Sequence, residues 1–376
     1  RGRPPLWVAA GALLLWATVA GPALGVYRDR GASGDGTDPC GGETARGGRL
    51  LSVSNAAAPL VLVTGGGGFI GGHTVELLLE LGWRVRVLDD FSTGSRSNLD
   101  RAEELGRGRR SLEVVVGDVR DREVCREAVR GAEAVVHLAA QSKVLPSILN
   151  TSPDATDDVL AVNVGGTANV LRAAYEEGQT QGRESPPRVI YAASSTAYGA
   201  TLPPHTEKAA PDPRTPYAVS KHQGEELVRL YAELYGVPGL SLRLFMVYGP
   251  REPSEGAYAV VTGRYAAAAA AGEALTIEGD GRQRRDFVHV TDVARAVALA
   301  LEDRTELAEA AERGELINVG TGESHSILEL ADKVDPERRL GRRLAPARKL
   351  DLAATLADTC RAKRLLRFEA SVPFVP

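Results

Sequence analysis

The feature that most constrains this chain is an apolar, β-branched run followed at once by glycines. Residues 60–64 are Leu-Val-Leu-Val-Thr, and Gly65, Gly68 and Gly71 follow at intervals of three. A short apolar run that ends in glycine is typical of a strand buried on both faces of a parallel sheet. Such a strand needs a crossover before the next strand can pair with it, so a helix should follow the glycines.

The expected helix and a second strand come next. Residues 73–81 carry apolar side chains at helical spacing and end before Gly82. Residues 84–88 alternate with arginine but keep an apolar face, and they end at Asp89. This strand–turn–helix–strand order predicts a βαβ unit.

Strand-like and helix-like segments keep alternating to about residue 248, and the pattern is less regular beyond it. The alternation predicts an α/β fold, with a Rossmann-type doubly wound parallel sheet and a smaller C-terminal lobe. The further predicted strands are 112–116, 134–138, 188–192, 240–245 and 316–319, the last of which returns to the main sheet. The further predicted helices are 122–130, 159–177, 220–235, 258–271, 293–302 and 326–334.

Composition excludes several classes of protein. The net charge of −4 and the 43% hydrophobic content are ordinary for a globular chain and give no electrostatic case for binding nucleic acid. Cys40, Cys125 and Cys360 are scattered, which predicts neither a disulfide framework nor a zinc site. No pair of histidines has metal-ligand spacing, so we expect no metal. We expect His137, at a strand end, to be a packed, uncharged imidazole; a catalytic imidazole is the alternative.

The glycine turn has the chemistry of a dinucleotide site. Glycine permits a positive φ in the turn and lets backbone N–H groups approach a pyrophosphate, to which the helix N-terminus adds partial positive charge. Asp89 lies eighteen residues beyond Gly71, where an acid accepts hydrogen bonds from ribose hydroxyls and repels a 2′-phosphate. This predicts NAD rather than NADP; a structural glycine loop is the alternative.

Tyr217 and Lys221 have the spacing that puts a phenol and an ammonium on one face of a helix. The ammonium, with a positive nicotinamide, would lower the pKa of the phenol, so that Tyr217 takes a proton from a sugar hydroxyl as hydride leaves the carbon. Ser194 and Thr196 follow the strand predicted at 188–192, at its carboxyl end. Both are candidates to bridge substrate and Tyr217; hydroxyls that satisfy a strand-end turn are the alternative.

From residue 60 to about residue 374 the chain resembles an extended short-chain dehydrogenase/reductase of the NAD-dependent epimerase/dehydratase family. It is similar in particular to the UDP-glucose and UDP-glucuronate 4-epimerases of that family. The segments that carry the resemblance are, in order, residues 63–71, 88–94, 117–119, 136–141, 163–167, 194–199, 216–221, 243–251, 279–281, 285–290 and 318–322.

The resemblance implies roles for individual residues. The catalytic residues that it implies are Ser194, Tyr217 and Lys221. The substrate contacts are Ser194, Thr196, Met246 and Arg285, and Arg285 is implied to bind the diphosphate, which suits a bidentate guanidinium. The implied contacts to NAD are Gly65, Gly68, Phe69, Ile70, Gly71, Asp89, Asp118, Val119, Ala139, Asn163, Tyr217 and Lys221.

The resemblance also implies a reaction. Dehydratases and decarboxylases of the family carry an acid two or three residues before the Tyr-Gly of segment 194–199, where this chain has Ser195 and Thr196. The difference favours a redox-neutral 4-epimerisation, in which hydride passes from C4 of the sugar to NAD and returns to the other face of a 4-keto sugar. A dehydratase, decarboxylase or reductase is the alternative, and a non-catalytic NAD-binding regulatory protein is a second one.

Two features depart from the family pattern. Met246 stands where relatives often have an Asn that touches the substrate, which changes the expected sugar contacts. Relatives usually continue after the equivalent of Phe374 with an amphipathic helix, so we expect the chain to be truncated and its lobe less stable. The family further implies a UDP-sugar as substrate and a homodimer, built from the helices predicted at 159–177 and 220–235.

The sequence divides into four parts. Residues 1–25 hold arginines, the apolar run 6–20 and then small residues, which predicts a signal peptide or a signal anchor. Residues 26–58 are expected to be a flexible linker. Residues 59–247 are the predicted NAD-binding domain, and residues 248–376 the substrate-binding lobe, partly interleaved with it. The leader predicts the secretory pathway or an organelle, with the cytoplasm as the alternative, and membrane contact only through the leader.

Overall fold

The computed structural model describes Cys40 and residues 58–107, 111–142, 154–182, 185–255, 259–348 and 350–376. The leader predicted at 1–25 and almost all of the linker predicted at 26–58 lie outside the described residues. Within the described ranges, no helix combines the length and the apolar character needed to cross a membrane.

The strands and helices alternate along the chain as the sequence predicts. The described strands are β1 (Leu60–Thr64), β2 (Arg84–Asp89), β3 (Leu112–Val116), β4 (Ala134–His137), β5 (Arg188–Ser194), β6 (Gly239–Leu244), β7 (Met246–Tyr248), β8 (Leu275–Glu278), β9 (Arg284–Arg285), β10 (Phe287–His289), β11 (Leu316–Val319), β12 (His325–Ser326) and β13 (Arg342–Ala345). The described helices are α1 (Phe69–Glu80), α2 (Asp100–Gly106), α3 (Arg122–Val129), α4 (Asp154–Leu160), α5 (Thr167–Gln181), α6 (Pro216–Tyr235), α7 (Val261–Ala271), α8 (Val290–Ala300), α9 (Thr305–Glu312) and α10 (Ile327–Val334).

Seven of these strands form one parallel sheet in the order β3-β2-β1-β4-β5-β6-β11. The predicted return of residues 316–319 is confirmed, since β11 pairs with β6 from Leu316 opposite Ser241 to Val319 opposite Leu244. The strand order reverses between β1 and β4. Ligands of open α/β sheets bind beyond the carboxyl ends of the strands at such a reversal.

Successive residues of β1 face opposite sides of the sheet, as the period of a strand requires. Val61 and Val63 belong to an apolar cluster that includes buried residues of α1 and α8. Leu60 and Leu62 belong to a second cluster, with buried residues of α3, α5 and α6. The sheet is therefore covered by helices on both faces, and the predicted Rossmann-type fold is confirmed.

The lobe after Tyr248 is smaller and has its own apolar cluster, in which Tyr265, Leu275 and Phe287 are buried. Its short strand pairs are β8 with β13, β7 with β10 and β9 with β12. The ring of Phe374 stacks on Phe287 at 4.6 Å between centroids. Because α8 and β11 belong to the Rossmann layers, the two parts of the chain are interleaved.

Cys40 and Cys360 form a disulfide, with their Cα atoms 5.2 Å apart. The prediction that the scattered cysteines build no disulfide framework missed this bridge. The two residues are 320 positions apart in sequence, and only the fold brings them together, so spacing gives no sign of the bridge. Cys125 keeps a buried thiol.

Candidate active site

A cavity of about 690 Å³ lies beyond the carboxyl ends of β1 to β6 and extends into the C-terminal lobe. The sheet reversal between β1 and β4 opens into it, as expected for an open α/β sheet. The residues predicted to bind cofactor or substrate that line this cavity are Gly65, Gly68, Phe69, Ile70, Gly71, Asp89, Asp118, Val119, Ala139, Ser194, Thr196, Tyr217, Lys221, Met246 and Arg285.

The turn between β1 and α1 is built in a way that requires glycine. Gly65 has a φ of +71°, and a Cβ on Gly71 would lie 2.0 Å from the carbonyl oxygen of Gly65. Gly68 is the N-cap of α1, and no side chain caps this helix end. The first N–H groups of α1 are therefore left for a ligand, and a pyrophosphate has the charge and the acceptor oxygens to suit them.

Asp89 ends β2 beside this turn. Its two carboxylate oxygens accept the N–H groups of Gly67 and Phe91, each at 2.8 Å. Each oxygen keeps a further acceptor site, so the carboxylate can still bind ribose hydroxyls. Burial raises the pKa of Asp89, which the two N–H bonds oppose. The glycine turn, the uncapped helix and this carboxylate together fit NAD.

Asp118 and Val119 line the same part of the cavity. The Asp118 carboxylate is held by Arg120 at 2.6 Å, and this hydrogen bond lowers the pKa of Asp118. The carboxylate is therefore ionised and already oriented at the cavity edge.

Ser194, Thr196 and Tyr217 bring three hydroxyl groups to the cavity. Ser194 ends β5, and the Oγ1 hydroxyl of Thr196 donates to its Oγ at 2.9 Å. Tyr217 lines the same cavity as these two hydroxyl groups. Burial raises the pKa of Tyr217, and the Ser194 hydroxyl opposes that shift. A sugar hydroxyl bound between Ser194 and Tyr217 could accept a hydrogen bond from one of these hydroxyls and donate one to the other.

Tyr217 and Lys221 lie in the first turns of α6, which Thr215 caps through a 3.1 Å hydrogen bond to the N–H of Ala218. Lys221 is only 3% exposed. Burial lowers the pKa of Lys221 to about 7, against which Glu225 acts in the opposite direction. The Lys221 Nζ lies 4.4 Å from the centroid of the Tyr191 ring.

His137 is packed between two threonines. One ring nitrogen is 2.7 Å from Oγ1 of Thr64 and the other is 3.0 Å from Oγ1 of Thr167. Burial, with the charge of Lys221, lowers the pKa of His137 to about 3. The expectation of a packed, uncharged imidazole is confirmed.

Asn163 does not line the cavity, unlike the other predicted cofactor residues. It lies in a turn of π-helix, Ala161–Gly166, between α4 and α5. Its amide pairs with the backbone of Gln141 at 2.7 and 3.0 Å and donates to Oγ of Ser220 at 2.9 Å. These hydrogen bonds hold the cavity wall at Gln141, and the NAD contact that the resemblance implies for Asn163 stays a prediction.

The lobe end of the cavity carries three arginines, Arg264, Arg285 and Arg348. Arg285 donates to Asp351 at 2.5 Å and to the carbonyl oxygen of Leu352 at 2.7 Å. Arg348 forms an ion pair with Glu278, which Arg264 also approaches at 3.2 Å. The residues of this group that line the cavity are Arg264, Glu278, Arg285, Arg348, Asp351 and Leu352.

Four further residues that line the cavity were not predicted as site residues from the sequence: Arg264, Glu278, Arg348 and Asp351. Met246, by contrast, lines the cavity as predicted, from the start of β7.

The family model of the NAD dependent epimerase/dehydratase family matches residues 61–320. The chain is 34% identical over 281 residues to a putative UDP-glucose 4-epimerase of Methanocaldococcus jannaschii, covering 74% of this chain and 82% of the relative. It is 33% identical to a UDP-N-acetyl-alpha-D-glucosaminuronate decarboxylase of Bacillus cytotoxicus, covering 73% and 78%. The crystal structure of a UDP-glucose 4-epimerase of Thermotoga maritima with UDP-glucose matches with a TM-score of 0.72 at 29% identity, covering 83% and 94%.

The matched residues include the glycine turn, Ser194 and the Tyr217–Lys221 pair, which are the groups that the cavity brings together. Sequence, fold and site agree on one assignment. The chain belongs to the NAD-dependent epimerase/dehydratase family of enzymes, with NAD as its cofactor.

Proposed function

We propose that this enzyme is a nucleotide-sugar 4-epimerase whose substrate is a UDP-sugar of the UDP-glucose or UDP-glucuronate class. The observation that carries the proposal is the set Ser194, Tyr217 and Lys221 in a cavity where Ser195 and Thr196 replace the acid of dehydratases and decarboxylases. The Thr196 hydroxyl is committed to Ser194. Neither hydroxyl ionises near neutral pH, so this segment offers no extra proton transfer at a neighbouring carbon.

In this function Tyr217 takes the proton of the C4 hydroxyl and later returns it, while Ser194 holds the same oxygen. The Lys221 ammonium favours the tyrosinate. Bound NAD supplies the hydride acceptor and donor. Arg285 and Arg348 offer two guanidinium groups to the diphosphate at the lobe end.

Met246 has no group that could fix one orientation of the sugar by hydrogen bonding. With the diphosphate held by Arg285 and Arg348, the sugar could rotate and present either face to NAD.

A nucleotide-sugar decarboxylase or dehydratase is the second candidate, and Glu252 favours it. This side chain lines the cavity, and burial raises the pKa of Glu252 to about 7. A carboxyl group that titrates near neutral pH can give and take a proton. Its bond from Oγ1 of Thr262, at 2.5 Å, favours the alternative that it anchors α7.

Incubation of the full-length protein with UDP-glucose and with UDP-glucuronate, followed by anion-exchange chromatography and NMR, tests the proposal. We expect one C4-inverted product without net formation of NADH. Loss of carbon dioxide or water would contradict the epimerase and support the second candidate. In that case Glu252→Gln should abolish the loss, whereas an epimerase should keep its 4-inversion in the same variant.

We also propose a homodimer that forms through α5 and α6. Leu230, Leu234 and Tyr235 on α6 are 37%, 66% and 51% exposed, and Leu230 and Leu234 lie one helical turn apart on the same face. The ring of Tyr235 lies 5.8 Å from that of Tyr175 on α5, so the apolar surface spans both helices. An exposed apolar surface of this kind marks an interaction site, and the family resemblance implies the same helices.

We further propose that the protein matures in an oxidising compartment such as the lumen of the secretory pathway. The Cys40–Cys360 disulfide supports this, because disulfides persist there and are rare in a reducing cytosol. The test is peptide mass spectrometry of the protein isolated from its own cells, with free thiols blocked at lysis. We expect a linked Cys40–Cys360 peptide, and two alkylated cysteines would contradict the proposal.

A further inference from the structure

A buried ion pair lies one helical turn beyond Lys221. Glu225 of α6 accepts two hydrogen bonds from Arg243 of β6, Nε to Oε1 at 2.8 Å and Nη2 to Oε2 at 2.7 Å. The two side chains are 5% and 3% exposed. This bidentate geometry fixes the orientation of the carboxylate. Since buried ion pairs are weak sources of stability compared with apolar residues, the pair calls for another explanation.

The described groups around Lys221 other than Glu225 are uncharged. The aromatic ring of Tyr191 lies beneath it, and its hydroxyl donates to the Lys221 carbonyl oxygen at 3.4 Å. His137 of β4 is uncharged at neutral pH, and Tyr217 is a neutral phenol until it acts as a base. The face of the Tyr191 ring favours the ammonium through a cation–π contact, and Glu225 favours it as the nearby carboxylate that raises the pKa of Lys221.

Arg243 and His222 contact Glu225 and share its negative charge. Arg243 makes the two bonds described above, and His222 Nδ1 lies 3.1 Å from Oε2. Arg243 also stacks its guanidinium over the Tyr198 ring at 4.3 Å. Tyr198 closes the turn that begins after Ser194, so the same guanidinium contacts the segments that carry the serine and the lysine.

We propose that Glu225, clamped by Arg243, is a positioning residue that keeps Lys221 charged one helical turn beyond Tyr217. This role rests on the proposed function of Tyr217 as the base. Burial lowers the protonated fraction of Lys221 near neutral pH, because its pKa is about 7 even with Glu225 present. Loss of the carboxylate would lower that pKa further, and the neutral amine would no longer favour the tyrosinate.

The test follows the charge of Lys221 directly. The chain has six lysines, so 13C-labelling of lysine side chains gives few Cε signals, and Lys221→Met assigns the one of interest. We expect Glu225→Gln to lower the titration midpoint of Lys221 by about one pH unit or more. The matched control is Glu226→Gln, which removes the neighbouring carboxylate that pairs with Arg229 at 2.9 Å and should leave the midpoint unchanged.

Glu225→Gln leaves the Arg243 charge buried without its partner, which can impair folding. The double variant Glu225→Met/Arg243→Met removes both charges and keeps an apolar interior. We expect its Lys221 midpoint to lie below that of the wild type and above that of Glu225→Gln, since the repulsive Arg243 charge is also gone. A wild-type midpoint in either folded variant would overturn the proposal.

Kinetics give a second measurement. The alkaline limb of the kcat profile should move to lower pH by the same shift in Glu225→Gln. KM should change by less than about two-fold, because Arg285 and Arg348 bind at the other end of the cavity. A uniform loss of kcat with an unmoved limb would show a structural role only and would also overturn the proposal. The NMR titration needs no turnover, so it decides the role of Glu225 even if the enzyme proves not to be an epimerase.

Discussion

Burial acts on Tyr217 and Lys221 in opposite directions. It raises the pKa of the phenol and lowers the pKa of the ammonium, so each residue is driven towards its neutral form. The Ser194 hydroxyl opposes the shift of Tyr217, and the charge of Glu225 opposes the shift of Lys221. Gain or loss of one proton by Tyr217 or Lys221 therefore changes whether the pair can act as an acid or as a base.

Removal of the Tyr217 hydroxyl tests its assignment as the base. We expect Tyr217→Phe to lower kcat by about 10²- to 10⁴-fold, the usual contribution of a positioned acid–base group. Bound NAD, released by denaturation and measured by absorbance, should stay at the wild-type amount because the glycine turn is untouched. Tyr235→Phe on the exposed side of α6 is the control. More than about a tenth of wild-type kcat in Tyr217→Phe would exclude the phenol as the base.

Arg348 is a residue whose role only the structure brings forward. If it binds the diphosphate, Arg348→Met should raise KM for the nucleotide-sugar about ten-fold, the loss of roughly one charge-assisted hydrogen bond. The control is Arg282→Met, whose side chain is 84% exposed. An equal change of KM in both variants would point to the overall charge of the surface instead of a contact.

Sequence reasoning found the site residues that follow strands or lie in dense motifs, such as Ser194, Tyr217 and Arg285. Arg348 and Glu278 lie in the C-terminal lobe, where the sequence lacks the regular alternation of strands and helices that marks the main fold. A charged residue in such a segment is most often solvated, and only the fold shows that these two meet at the cavity.

At the scale of elements, α6 is fitted closely to β5. A Cβ on Gly224 would lie 2.1 Å from the Tyr191 hydroxyl oxygen. Glycine at this position therefore lets the ring lie under Lys221, although glycine in a helix interior costs about 1 kcal/mol relative to alanine. Close packing outweighs helix propensity here.

We expect Gly224→Ala to destabilise the enzyme, because the methyl group has to displace Tyr191 or the helix. Overpacking costs about 1–3 kcal/mol, which exceeds the gain in propensity. Thermal unfolding should show a lower Tm, and kcat should fall as the ring leaves Lys221. Gly165→Ala is the matched control, since a Cβ there has nothing within 4 Å. A Tm of Gly224→Ala equal to that of the control would mean that the contact relaxes without cost.

The sequence predicted the long elements well and the interruptions poorly. Apolar periodicity predicted one helix at 159–177, but the structure has α4, a π-turn at Ala161–Gly166, and α5. Periodicity does not register a π-turn, which here carries the Asn163 contacts to Gln141 and Ser220. The two-residue strands β9 and β12 were also missed, because two residues have no period.

At the scale of the whole molecule, the apolar surface of α5 and α6 makes the assembly testable. Leu234→Glu places a charge in the centre of the proposed interface, where burial would be unfavourable. We expect the wild type to have twice the monomer mass by light scattering, and the variant to be a monomer with wild-type secondary structure. Leu202→Glu, on an 89% exposed residue away from these helices, is the control. A monomeric wild type would contradict the proposed dimer.

The return of β11 to the main sheet has a consequence for synthesis on the ribosome. β11 pairs with β6, yet the two strands are separated by the whole segment from β7 to α9. The sheet that carries Ser194 cannot be completed until Val319 has left the exit tunnel. Until then, the N-terminal half, including the cofactor turn, has a sheet in which the edge of β6 lacks its partner strand. A pause in translation before residue 316 would prolong that exposure, and it is the point at which nascent chains should depend most on chaperones.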